Sequence, residues 1–101
     1  MSMNTAEVLS LDTVLVQREG NIASDMDGEK VMLNVKNGKY YNLGEVGGAI
    51  WEALASPVSI RRIAEIMQET FEVPAELAQQ DVIDFVQNLL NEELVAVVSG
   101  S

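Results

Sequence analysis

Three features of this 101-residue chain carry residue types that could do chemistry. The run Asp25-Met26-Asp27-Gly28 invites a calcium loop. With Gly28 at the sixth loop position, Ala23 falls at the first and Asn34 at the twelfth, so both end ligands are lost, and no helical pattern flanks the loop. A turn built from Asp and Gly accounts for it better. Gly44, Gly47 and Gly48 suggest a phosphate cradle, but their spacing fits neither the P-loop nor the dinucleotide fingerprint. Sixteen carboxylates could supply an acid–base pair, yet Glu65, Glu69, Glu76 and Asp84 fall on the polar faces of helical patterns, where charge is ordinarily solvated surface. Histidine and cysteine are both absent, which removes disulfides, imidazole and thiol nucleophiles, Ser-His-Asp triads and nearly every zinc, iron or copper site. The expectation is a protein that is no enzyme, with no catalytic residue, no metal and no cofactor.

The charge narrows the partners. Six basic against sixteen acidic residues leave a formal charge of −10. Such a chain is repelled by nucleic-acid phosphates and by anionic membranes, and it attracts a basic peptide. The opening MSMNTAEVLSLD lacks the basic and apolar regions of a signal peptide, and no apolar run approaches membrane-spanning length. A soluble cytoplasmic domain is expected, with residues 1–11 as a loose arm, 12–98 as one domain and 99–101 as a tail.

The elements that must position any site follow from periodicity. Val14-Leu15-Val16-Gln17-Arg18, Ile22-Ala23-Ser24 and Lys30-Val31-Met32-Leu33-Asn34-Val35 read as strands separated by turns at Glu19-Gly20-Asn21 and at the Asp-Gly run. Alternation assigns Val31, Leu33 and Val35 to the core face. Asn37-Gly38 signals a two-residue type I′ hairpin. That register sets Lys36 opposite Lys39, Val35 opposite Tyr40 and Asn34 opposite Tyr41, with Tyr40 on the core face and Tyr41 on the other.

After Leu43 the period changes to 3.6. A first helix begins at Gly44 as N-cap and carries a stripe of Val46, Ile50 and Leu54 broadened by Trp51. Gly47 and Gly48 each weaken a helix interior by about 1 kcal/mol relative to alanine, and close approach to a neighbour would offset that. Ser59 caps a second helix, with Val58 and Ile63 as a staple and Ile60, Ile63, Ala64, Met67 and Phe71 as its stripe. A third helix over residues 75–92 carries Val82, Phe85, Val86, Leu89 and Leu90, more than one stripe needs. Leu94-Val95-Ala96-Val97-Val98 closes the chain as a strand. The fold class is α+β, winged helix-turn-helix-like: an N-terminal antiparallel meander of three to four strands, three helices and a short C-terminal strand. With only Arg61 and Arg62 on the second helix and no basic residue on the third, such a scaffold suits protein or peptide binding better than DNA.

Several motifs in order resemble a known family: D-x-D-G-x-x-V-M-L-N (residues 25–34), G-x-Y-Y-x-L (38–43), G-x-x-I-W (47–51), S-I-x-x-I-A (59–64), F-x-V (71–73) and D-V-x-x-F-V-x-x-L (81–89). Together they are similar to the PqqD-like leader-recognition domains of ribosomal peptide pathways, the RiPP recognition elements, and most of all to the stand-alone form of lasso-peptide biosynthesis. Leu43-Gly44 stands where the family favours Leu-Asn, and Ala55-Ser56 where it favours Asp-Gly.

That resemblance implies a peptide chaperone. The leader of a precursor peptide would add as a strand to the edge formed by Lys39, Tyr40, Tyr41, Asn42 and Leu43, and lie against Asp81, Val82, Phe85, Val86 and Leu89 of the third helix. A separate leader peptidase would act next, and a macrocyclase is a further candidate partner. A peptide chaperone of the pyrroloquinoline quinone pathway and an acidic winged-helix regulatory module are the alternatives. Taken singly, Tyr40, Phe85 and Val86 read as ordinary core positions ahead of groove ones.

Overall fold

The computed structural model describes residues 9–99. Along the chain lie β1 (Val14–Gln17), β2 (Asn21–Met26), β3 (Glu29–Asn34), β4 (Tyr40–Leu43), α1 (Gly44–Ala53), β5 (Val58–Ser59), α2 (Ile60–Phe71), α3 (Ala75–Asn91) and β6 (Val95–Ser99). The class is α+β, with antiparallel sheet and three helices.

The strands divide into two sheets rather than one meander. β2, β3 and β4 form a three-stranded wing in that order, while β1 lies between β5 and β6 in a second sheet. β1 thus leaves the expected meander and pairs with the C-terminal strand, Leu15 opposite Val97 and Gln17 opposite Val95. Its one fully buried side chain, Leu15, joins Leu54, Ile60, Ile63, Val82, Val86 and Leu94 in the core. Hydropathy alone does not reveal which strand partners which.

The faces of the wing are the reverse of the expected ones. Met32 and Asn34 point inward and are buried, and Val35 is 59% exposed. Two satisfied polar groups make this possible. The Asn34 amide donates to Asn21 Oδ1 at 2.7 Å, and its Oδ1 accepts the Asn37 N–H at 2.9 Å. Lys30, on the same inward face, has an ammonium that is ion-paired. A buried polar group that keeps its partners loses little, so the apolar count does not decide the face.

The hairpin loop is likewise four residues long, not two. The Asn34 N–H donates to the Lys39 carbonyl and the Gly38 N–H to the Asn34 carbonyl, so Leu33 faces Tyr40, Met32 faces Tyr41 and Val31 faces Asn42. The Asn34 side chain closes the loop, and Gly38 alone in it takes a positive φ, 73°.

The helices follow their periodicity more closely. Ser59 caps α2, its hydroxyl accepting the Arg62 N–H at 3.1 Å, and Ile60, Ile63, Ala64 and Met67 are buried. Ser59→Ala is expected to lower stability by about 1 kcal/mol, a fall in Tm of roughly 4–8 °C readable by thermal denaturation. In α1 and its C-cap, Ile50, Trp51 and Leu54 are buried, but Val46 is 44% exposed. Leu43, not Gly44, is the N-cap, and Gly44 makes the turn from strand to helix at φ 72°. The expected arm at residues 1–11 is described only from Leu9; Leu9 and Leu11 pack on the core, and the Leu11 carbonyl accepts the Arg61 N–H. Residues 100 and 101 of the expected tail lie outside the described residues.

Candidate peptide-docking edge and groove

β4 is an edge strand, and its register fixes which of its backbone groups are free. The Asn34–Lys39 hydrogen bond places residues 39 and 41 in the bonded positions of the β3–β4 ladder. Alternation in an antiparallel pair then turns the N–H and C=O groups of Tyr40 and Asn42 away from β3, toward the open side. β2 is the other edge of the wing, but Ile22 through Met26 are all exposed there. A strand added beside β2 would bury little side-chain surface.

Beside β4 lies a groove of about 320 Å³. Leu43, Val46, Gly47 and Ile50 line it from the strand–helix junction, and Asp81, Asp84, Phe85 and Asn88 line it from α3. These four α3 residues recur at three- and four-residue spacing, so they form one helix face. A second α3 face, Ala78, Val82, Val86 and Leu89, is buried in the core. The surplus apolar width of this helix therefore resolves into a core face and a groove face that share Phe85 as the large apolar contributor to the groove. A small extension of about 50 Å³ continues between Val46, Met67, Phe71, Val73 and Val82. Two hollows of about 400 and 420 Å³ elsewhere are lined largely by charged and polar groups, and neither takes a β4 residue into its lining.

The glycines let α1 sit this close. A Cβ at Gly47 would come within 2.7 Å of the Phe85 ring, and one at Gly48 within 2.7 Å of Lys30 Cβ. Close approach is thus what two glycines in one helix obtain here. Gly47→Ala would push the tip of a side chain that can rotate, so the expected result is a Tm near that of the parent with the Phe85 ring displaced into the groove, visible in its aromatic NMR shifts.

Electrostatics tie the wing to the body at the other side of Gly48. Lys30 Nζ lies 2.6 Å from Glu52 Oε2 and 3.2 Å from Asp25 Oδ1. The hydrogen bond to Glu52 holds the lysine above its usual pKa, and Asp25 adds to this against the opposing pull of burial. A pKa raised in the folded state gives stability that is complete below about pH 10.4, the unfolded value, and disappears as pH rises through the folded pKa. The expected outcome is a Tm that drops above pH 10.5 in the parent and drops less in Lys30→Met.

The expected site residues separate by position. Asp81 and Phe85 line the groove, as does Leu43. Tyr40 is 74% exposed on the outer wing face, while Tyr41 packs on the core, the reverse of the sequence expectation. Tyr41 Oη donates to Glu92 Oε1 at 3.0 Å, and Lys39 Nζ lies 3.6 Å from the same oxygen. Asn42 is exposed, its Oδ1 accepting the Gly44 N–H and its Nδ2 donating to Glu29. Val82 and Val86 are 0% exposed and Leu89 4%, so these three support the helix from the core side. Val46, Asp84 and Asn88 were not among the expected residues; the i, i+3, i+4, i+7 spacing from Asp81 is the signal that finds the last two.

The family model for coenzyme PQQ synthesis protein D (PqqD) matches residues 29–95, which run from β3 into β6 and contain the whole groove. The chain belongs to the PqqD family. Among solved structures, this PqqD-family chain is similar to TbiB1 in complex with the TbiA(β) leader peptide, at 26% identity and a TM-score of 0.71 over 79% of this chain and 93% of that one. A lasso peptide synthetase B1 complexed with its leader peptide shares the fold at 21% identity and a TM-score of 0.71, over 81% and 96% of the two chains. The PqqD truncation of Methylobacterium extorquens PqqCD, a stand-alone RiPP recognition element, shares it at 14% identity and 0.75, over 90% and 97%. No curated protein matches the chain. Among the described residues no helix is long and apolar enough to cross a membrane.

Proposed function

We propose that this PqqD-family protein is a non-catalytic RiPP recognition element of a lasso-peptide pathway. It binds the leader of a precursor peptide by strand addition to β4 and presents it to a separate leader peptidase, with a macrocyclase acting later. The observation that carries this reading is a strand edge, with the backbone of Tyr40 and Asn42 directed outward, running beside a partly apolar groove. Main-chain pairing along residues 39–43 supplies affinity, and alternate leader side chains enter between Leu43, Val46 and Phe85 to supply selectivity. Asp81 and Asp84 line the groove without a basic residue on α3, which favours a leader bearing lysine or arginine. Val82, Val86, Leu89 and Tyr41 act from behind by fixing α3 and β4. The helix order and the hairpin wing support a winged-helix-like scaffold, used for a peptide in a cytoplasmic setting.

Identity of 26% to TbiB1, against 14% to the PqqD truncation, favours the lasso-peptide setting over quinone cofactor synthesis. The test is fluorescence anisotropy with a labelled lasso-precursor leader peptide and, separately, the corresponding leaderless core peptide. Saturable binding of the leader alone is expected; equal binding of both peptides would sink the reading.

A further inference from the structure

Glu92 stands where a carboxylate is unfavourable. It is the C-cap of α3, Glu93 follows it at φ 60°, and the last turn of the helix carries no basic residue. The negative end of the helix dipole repels an anion there, and a carboxylate at that position ordinarily weakens the helix. A local rule broken without local compensation points to a purpose outside the helix.

The compensation lies on β4. Glu92 Oε1 accepts the Tyr41 hydroxyl at 3.0 Å and pairs with Lys39 Nζ at 3.6 Å. Residues 39 and 41 alternate along the chain, so one oxygen holds the exposed Lys39 just before β4 and the half-buried Tyr41 within it. Glu92 follows α3 as its C-cap, four residues beyond the groove-lining Asn88, and itself borders the neighbouring hollow lined by Asn34, Lys36 and Asn37. The other end of β4 is fixed independently, where Gly48 meets Lys30 and Lys30 pairs with Glu52.

We infer that Glu92 is a positioning residue: it latches the start of β4 to the end of α3 and so sets the width of the groove and the aim of the docking edge. The inference rests on the leader-binding reading. Its signature is a pair of effects with opposite sign, because removing the carboxylate relieves the helix terminus while releasing the strand.

Three variants test it: Glu92→Ala, Tyr41→Phe and the double variant, each measured for Tm, for hydrogen exchange at the Tyr41 amide without peptide, and for affinity toward the labelled leader. Glu92→Ala is expected to keep its Tm or gain about 2–4 °C, to exchange the Tyr41 amide faster, and to bind the leader about fivefold more weakly. Tyr41→Phe should weaken binding similarly, and the double variant no further than either single one, as coupled residues do. Affinity within twofold of the parent, or a fall in Tm matching the fall in affinity, overturns the inference. Should the parent bind no leader, the proposed function fails instead, and the peptide-free exchange rate alone decides whether Glu92 holds the strand.

Discussion

Asn42→Pro is expected to weaken leader binding by roughly 10- to 100-fold while the protein stays folded. The Asn42 N–H points to the open side of β4, so proline removes no bond of the β3–β4 ladder. It does remove a donor that an added strand would use, and leaves the matching leader carbonyl unpaired against the groove. Losing one such bond and stranding its acceptor costs about 1.5–3 kcal/mol, which is the stated range in affinity. Proline tolerates edge strands for this same reason. The Asn42 side chain also accepts the Gly44 N–H and donates to Glu29, so Asn42→Ala is the control that loses those contacts but keeps the donor. The two variants should share a slightly lowered Tm and differ in affinity, measured by anisotropy. Equal affinity in both would mean that β4 takes no strand.

The largest effect on stability is expected from Gly48→Val. A Cβ there meets Lys30 Cβ at 2.7 Å, and that atom is the root of a side chain on β3, not a tip that can swing aside. Valine adds two further methyl groups to the same contact. Relief requires α1 and β3 to part, which separates Lys30 from Glu52 and uncovers Met32. Overpacking of this kind costs about 1–3 kcal/mol, at its upper end for a β-branched residue, and the gain in helix propensity over glycine recovers only a few tenths. A net loss of about 2–3 kcal/mol, or roughly 10–20 °C in Tm, is the expected reading in calorimetry. A Tm within a few degrees of the parent would show that the wing moves freely against α1.

The contrast between Gly47 and Gly48 also marks how far the sequence speaks. That both glycines serve close approach follows from their cost in a helix interior; that one faces a ring and the other a strand does not. Ser59 as cap, the α2 stripe and the breaks near Pro57 and Pro74 are local matters, set by residues within a turn or two of each other, and they appear in the one-dimensional pattern. The wing faces do not, because Asn34 and Lys30 turn inward on the strength of partners as distant as Asn21 and Glu52. Tyr40 and Tyr41 exchange roles for the same reason. The groove was half legible: Phe85, Asp81 and Leu43 follow from motif and period, whereas Val46 reads as core until the gap beside α1 is seen. Val86 and Leu89 read as groove until the two α3 faces are told apart.

The division into two sheets bears on the order in which the molecule assembles. Every pairing within β2, β3 and β4 joins neighbours along the chain, whereas β1 must find β6 from almost the opposite end. Short-range pairings close sooner than long-range ones. Pairing of β2, β3 and β4 is therefore expected to precede the docking of α3 and β6. Until those arrive, β4 is an unguarded template for any extended segment nearby. Translation that stalls before residue 95 leaves the strand proposed to capture a peptide, but not the sheet that anchors the body beneath it.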